Sequence, residues 1–131
     1  MNCWLNTDRC WNPDSGGENY RVIRKTTDMT DLSPANTFVF LDEREDSIND
    51  GFFVVTMNQT GAGARVVDFP GSYHHGAAAF NFADGHAEMK KWRDPRTHPP
   101  IVKGVNLDLD IASADNPDVA WLQEHTTGPK P

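Results

Sequence analysis

The chain has 131 residues, 37% of them hydrophobic, with ten glycines and nine prolines. That length supports one domain with its own core, and the Gly, Pro, Asn and Asp content points to a loop-rich, mostly β protein. A formal net charge of −7 argues against a nucleic-acid binder, whose affinity comes from basic phosphate contacts, and against an anionic membrane surface.

In chain order, residues 1–19 carry two Trp, both cysteines and the run Asn12-Pro13-Asp14-Ser15-Gly16-Gly17, and read as an irregular arm. Tyr20 to Lys25 alternates enough for a first strand, and Asp31 to Ala35 is a turn. Thr37 to Asp42 (TFVFLD) is a buried strand rich in β-branched and aromatic residues, and Gly51 to Met57 (GFFVVTM) is another. Asn58 to Ala64 is a polar, Gly-rich loop, and Arg65 to Asp68 is at most a short strand. Residues 77–92 form a hairpin. Pro95, Pro99 and Pro100 then stop regular structure, and 101–112 holds one short strand. Asn116 to His125 reads as a short helix with Asn116 as N-cap and Pro117 at the first helical position. The tail, Thr126 to Pro131, is expected to be disordered. The sum is a single α+β, mostly β unit with an antiparallel sheet of about four to five strands and long loops. Its parts are the arm 1–19, a sheet core over 20–112, the helix 116–125 and the tail 126–131.

The hairpin allows a register to be written down. With Asp84-Gly85 as a two-residue turn, Phe82 faces Ala87 and Phe80 faces Met89. Phe80, Phe82, Ala87 and Met89 then share one face, and Asn81, Ala83, His86 and Glu88 share the other.

Two constellations could carry chemistry. The first is His74, His75, Asp84 and His86, all metal-ligand types. A straight strand would hold His74 and Asp84 up to about 30 Å apart, so only a bend near Gly76 unites them. The structural reading has His74 or His75 bonded to backbone or to Asp94, with Asp84 and Gly85 serving the turn. The second is the acidic loop Asp42 to Gly51. Asp42, Glu43, Asp46 and Asp50 are candidate calcium ligands there, although the spacing departs from an EF-hand. The alternative is a solvated loop, with Asp42 and Glu43 closing the strand against Arg21 or Arg24. Catalysis has little support. Ser72, His74 and Asp84 are triad types without triad placement, and Asp42 and Glu43 point to opposite faces of a strand. Four Trp could form a glycan platform but more often serve the core.

The segment from Gly71 to Trp92, GSYHHGAAAFNFADGHAEMKKW, resembles the His-x9-Asp-Gly signature of prepilin-type, processing-associated proteins, a pseudopilin-like family. His74, Asp84, Gly85 and His86 carry that likeness. Three further segments resemble the same family: Tyr20 to Met29, Ser33 to Val55, and Asn116 to Thr127. The resemblance implies a pilin-like fold with its sheet laid against an N-terminal anchor helix. The polar opening Met1-Asn2-Cys3-Trp4-Leu5-Asn6-Thr7-Asp8 has no such helix. The chain therefore reads as a soluble head without its anchor, either trimmed or stand-alone, and membrane attachment would need that missing helix.

The resemblance further implies a structural, non-enzymatic role in a type II secretion or type IV pilus-like assembly. It implies export to the periplasm, cell surface or medium. Partners would be other pilin-like or secretion-system subunits, or a second copy. Export would allow a disulfide between Cys3 and Cys10, the alternative being two free thiols. Family precedent for loop calcium supports the acidic-loop reading. Without an anchor helix, the sheet face needs another cover: the arm with Trp4, Leu5 and Trp11, the Trp121–Leu122 helix, or a second copy. The runner-up function is an exported binding module for a glycan or protein, stabilised by calcium.

Overall fold

The computed structural model describes residues 1–5 and 18–131. Its strands are β1 (Phe38–Leu41), β2 (Arg65–Val66), β3 (Ala77–Phe82), β4 (Ala87–Lys91) and β5 (Ile111–Ala112), followed by one helix, α1 (Pro117–Glu124). Among the described residues these strands pair antiparallel, in a three-stranded sheet ordered β1-β3-β4 and a two-stranded sheet of β2 and β5. The class is α+β and mostly β, as expected, but the five strands divide between two sheets.

β3 is central and sets the core. Its alternate residues Ala78, Phe80 and Phe82 are buried on one face. Phe80 is a hub, with ring centroids of Trp121, Phe38 and Trp92 at 5.1, 5.4 and 6.0 Å. Edge-on aromatic pairs at these separations add to the burial itself. A smaller cluster of Ala64, Val66, Phe69 and Val119 lies elsewhere, with Leu107 and Leu109 against it.

The hairpin departs from the expected register by one residue. Phe80 pairs with Glu88 and Asn81 with Ala87. Gly85 N–H donates to Phe82 O, Phe82 N–H donates to His86 O, and Gly85 has φ +94. This is a three-residue loop, Ala83-Asp84-Gly85, with the glycine in the left-handed position such a loop requires. The extra residue inverts β4. His86, Glu88 and Lys90 share the face of the buried phenylalanines, while Ala87 and Met89 face outward. Lys90 Nζ lies 5.0 Å over the Trp121 ring and 3.9 Å from Asp118, so aromatic and carboxylate neighbours receive its charge.

Two expected strands do not form ladders. Tyr20 to Lys25 makes only bridges, Leu5 to Ile23 and Tyr20 to Pro129. Gly51 to Met57 makes one bridge, Asn2 to Phe53, although Phe53, Val55 and Met57 are buried. Their apolar side chains fill the core, and isolated backbone bonds, such as Phe53 N–H to Met1 O and Ile23 N–H to Trp4 O, share with distant side chains the task of serving their backbone. Val54 N–H donates to Asp68, and Val55 O accepts from Trp4 Nε1 at 3.0 Å.

The inner sheet face is covered as anticipated by the start of the arm and by α1. Cys3 and Trp4 are fully buried in the same cluster as Leu122, with Trp121 against it, while Trp11 lies outside the described residues. Asn116 caps α1 by accepting from Asp118 N–H and Val119 N–H, with Pro117 opening the helix. The tail, expected to be disordered, is instead tied down. Gly128 O accepts from Arg21 N–H at 3.0 Å, and Thr126 and Thr127 are buried.

Asn2 joins these parts. Its Nδ2 donates to Phe38 O and to Thr126 O, both at 2.9 Å, and its Oδ1 accepts from Trp4 N–H at 3.0 Å. Asn2→Ala removes all three bonds inside the protein and is expected to cost about 2–4 kcal/mol. Chemical denaturation should show a lower midpoint with an unchanged slope; an unchanged midpoint would show the bridge to be dispensable.

Candidate functional site

The signature residues occupy opposite ends of β3. At its start the backbone turns sharply, with His75 and Gly76 at φ 57 and 79 and Gly76 N–H donating to Ser72 O. This turn brings His74 Nε2 to 3.6 Å from Asp42 Oδ2. Asp42 also accepts from Ala79 N–H at 3.1 Å, so it braces the end of β1 against β3. Asp94, an anticipated histidine partner, accepts instead from Arg96, at 2.9 Å from Nε and 2.6 Å from Nη2.

At the far end, Asp84 Oδ1 accepts from His86 N–H at 3.1 Å and lies 2.6 Å from His86 Nδ1. These bonds to His86, backbone first, hold the Asp84 carboxyl below its usual range. The His86 ring stacks on Phe82 at 4.4 Å and 4°. Six residues of β3, about 20 Å of strand, separate this turn from the His74 bend. The two ends form no common site, and Ser72, His74 and Asp84 form no triad.

The four acidic candidates also go separate ways. Asp42 braces β3. Asp46 makes a two-pronged pair with buried Arg44, at 2.6 and 2.7 Å, and the Arg44 hydrogen bonds hold its carboxyl below the usual range. Asp50 accepts from Phe52 N–H at 2.7 Å in a local turn. Glu43 accepts from Ser47 Oγ at 3.1 Å. Arg21 pairs with Asp31 at 2.7 Å, not with Asp42 or Glu43. No group of three or more His, Cys, Asp or Glu is placed to hold a metal ion among the described residues.

Glu43 instead meets a residue that the sequence reading passed over, Asp68. Asp68 is 3% exposed and accepts from Val54 N–H at 2.5 Å. Ser47 Oγ links the segments that follow β1 and β2, donating to Glu43 and accepting from Phe69 N–H at 2.8 Å. Burial, reinforced by the charge of Asp68, pushes Glu43 up to about 7. Burial likewise pushes Asp68 up to about 6, against the lowering effect of the Val54 hydrogen bond. The available signal was an acidic residue inside the apolar run Val66-Val67-Asp68-Phe69.

The tryptophans do not make an exposed platform among the described residues. Trp4 and Trp92 are buried, and Trp121 is half-buried against the core. Cys3 is disulfide-bonded, and Cys10 lies outside the described residues. No helix among the described residues is long and apolar enough to cross a membrane. Comparison with known proteins finds no match among family models, curated proteins or solved structures.

The carboxylate pair predicts a pH dependence of stability. Both folded pKa values lie above the unfolded ones. The folded state therefore binds the extra protons, and the associated stability is complete below about pH 4 and lost as pH rises through about 6 to 7. Asp46 and Asp94, whose carboxyls are depressed by Arg44 and Arg96, act only at the acid end. Between about pH 5 and pH 8, stability should fall by on the order of 2 kcal/mol, a figure discounted because Glu43 is only half-buried. Thermal melts should show a higher Tm at the lower pH, and Asp68→Asn should flatten the trend. A Tm that rises across this range would contradict the assignment.

Proposed function

We propose that the protein is the globular head of a pseudopilin-like subunit that acts by protein–protein contact in a secretion or pilus-like assembly, without turnover. One observation carries the reading: the residues of the His-x9-Asp-Gly resemblance have separate tasks in shaping the chain. His74 stands against Asp42 at the bend before β3. Asp84 ties down the loop through His86, and Gly85 takes the left-handed position. Residues employed in this way suit a scaffold whose product is a surface. The outer sheet face offers one, with Phe40 and Met89 both more than half exposed.

A second reading, an exported binding module, is favoured by a different surface. Ile101, Val102 and Val105 are exposed around a turn closed by Val105 N–H donating to Val102 O.

Cross-linking in the native cells, followed by mass spectrometry, separates the two. The scaffold reading expects adducts with a subunit bearing a pilin-type N-terminal helix, lost in Phe40→Glu with stability changed by less than about 0.5 kcal/mol. Adducts that survive Phe40→Glu but disappear in Val102→Lys would favour the binding module. Adducts without any pilin-type subunit would overturn the scaffold reading.

A further inference from the structure

The outward edge of β4 is open and self-complementary. In the β3–β4 ladder, Phe82 N–H donates to His86 O and Trp92 N–H donates to Gly76 O, each at 2.9 Å. These bonds set the parity of the strand: residues 86, 88, 90 and 92 turn their backbone groups toward β3, and Ala87, Met89 and Lys91 turn theirs away. No partner strand and no other backbone group meets that side among the described residues. The opposite edge differs. On β1, Val39 O accepts from Asn2 N–H and Phe38 N–H donates to His125 O. Open backbone edges recruit further strands unless charge or shape prevents it.

Here the charges select a partner. When Ala87-Glu88-Met89-Lys90-Lys91 is laid antiparallel on a copy of itself, three registers near the strand centre match outward groups to outward groups. With the two-fold axis at Met89, Met89 meets Met89, Ala87 meets Lys91, and Glu88 meets Lys90. With the axis moved to either neighbour, Glu88 meets Glu88 or Lys90 meets Lys90. Opposite charges directly across a ladder stabilise it and like charges destabilise it, so only the Met89-centred register is favourable. Lys90 is already held in position, over Trp121 and near Asp118 on the face it shares with Glu88. Met89, 52% exposed, would be covered at the axis.

We propose that β4 pairs with β4 of a second copy about a two-fold axis at Met89, joining two three-stranded sheets into one continuous sheet. A single strand pair buries less than about 1,200 Å², which places the dimer in the weak, transient class, with a dissociation constant expected above the nanomolar range of standard-size interfaces. The dimer stands independently of the filament-head reading, since it forms with or without pilin-type partners.

Sedimentation equilibrium of the full chain from about 5 to 500 μM tests it, above that nanomolar range. The average mass should climb from the 14.6 kDa monomer toward twice that value. Glu88→Lys, which sets lysines against each other, should weaken association at least about tenfold. Met89→Pro removes an outward N–H and none of the β3–β4 hydrogen bonds, and should do the same. Ile48→Lys, another exposed apolar site, should leave association unchanged. A monomer throughout, or a dimer indifferent to both β4 variants, would overturn the proposal. Amide protection of Ala87, Met89 and Lys91 that arises only when a different protein is added would overturn it in favour of a foreign strand.

Discussion

The fold depends on the demand that buried backbone groups find partners in a chain with few ladders. Its regular strands are short, two of them only two residues long. Much of the core is therefore lined by extended chain that lacks a neighbouring strand. Asn2 meets this demand at the most crowded point. One side-chain amide serves the arm, β1 and the tail together, and it does so fully buried. The Asn2 and Phe38 backbone bonds to Val39 and His125 then close the β1 edge.

The same solution recurs with other buried polar and charged side chains. Asp118, fully buried, accepts from Arg93 N–H and Asp94 N–H where the chain leaves β4. Buried Arg44 satisfies Asp46 on one side and Pro99 O on the other. Gln123 Nε2 reaches from α1 to Thr56 O and Gln59 O. A buried charge is tolerable when hydrogen bonds replace its water, and each of these groups also fixes the path of a loop. Glu43 and Asp68 are the exception. Burial strips them of water and only neutral donors replace it, so they respond by taking up protons.

The legible parts of the sequence were those governed by local chemistry. The β-branched and aromatic run at Phe38, the Asp-Gly hairpin and the Asn116-Pro117 helix start all declare themselves within a few residues. Hydrophobicity correctly marked Phe53, Val55 and Met57 as buried, but burial does not require a ladder. The tail was misread because its anchors, Arg21 and Asn2, lie more than a hundred residues away in the chain. Among candidate site residues, the roles of Asp84 and Gly85 in the turn could be read locally. The bend at His75 and Gly76 was signalled by the glycine, but that it would set His74 against Asp42 depended on the placement of β1 beside β3. Asp68 became significant only when Glu43 and Ser47 were brought beside it by folding.

The three-residue loop of the hairpin has a consequence for how this protein can vary. Surface loops usually absorb insertions and deletions because their length is free of the core. At Ala83-Asp84-Gly85 the number of residues instead acts as a parity switch for everything downstream in β4. Removing one residue would exchange the two faces of β4, bringing Ala87 and Met89 to the side of Phe80 and carrying Glu88, Lys90 and the buried Trp92 to the other. Two sheets with opposite surfaces are thus written in nearly the same string, separated by a single codon's worth of chain.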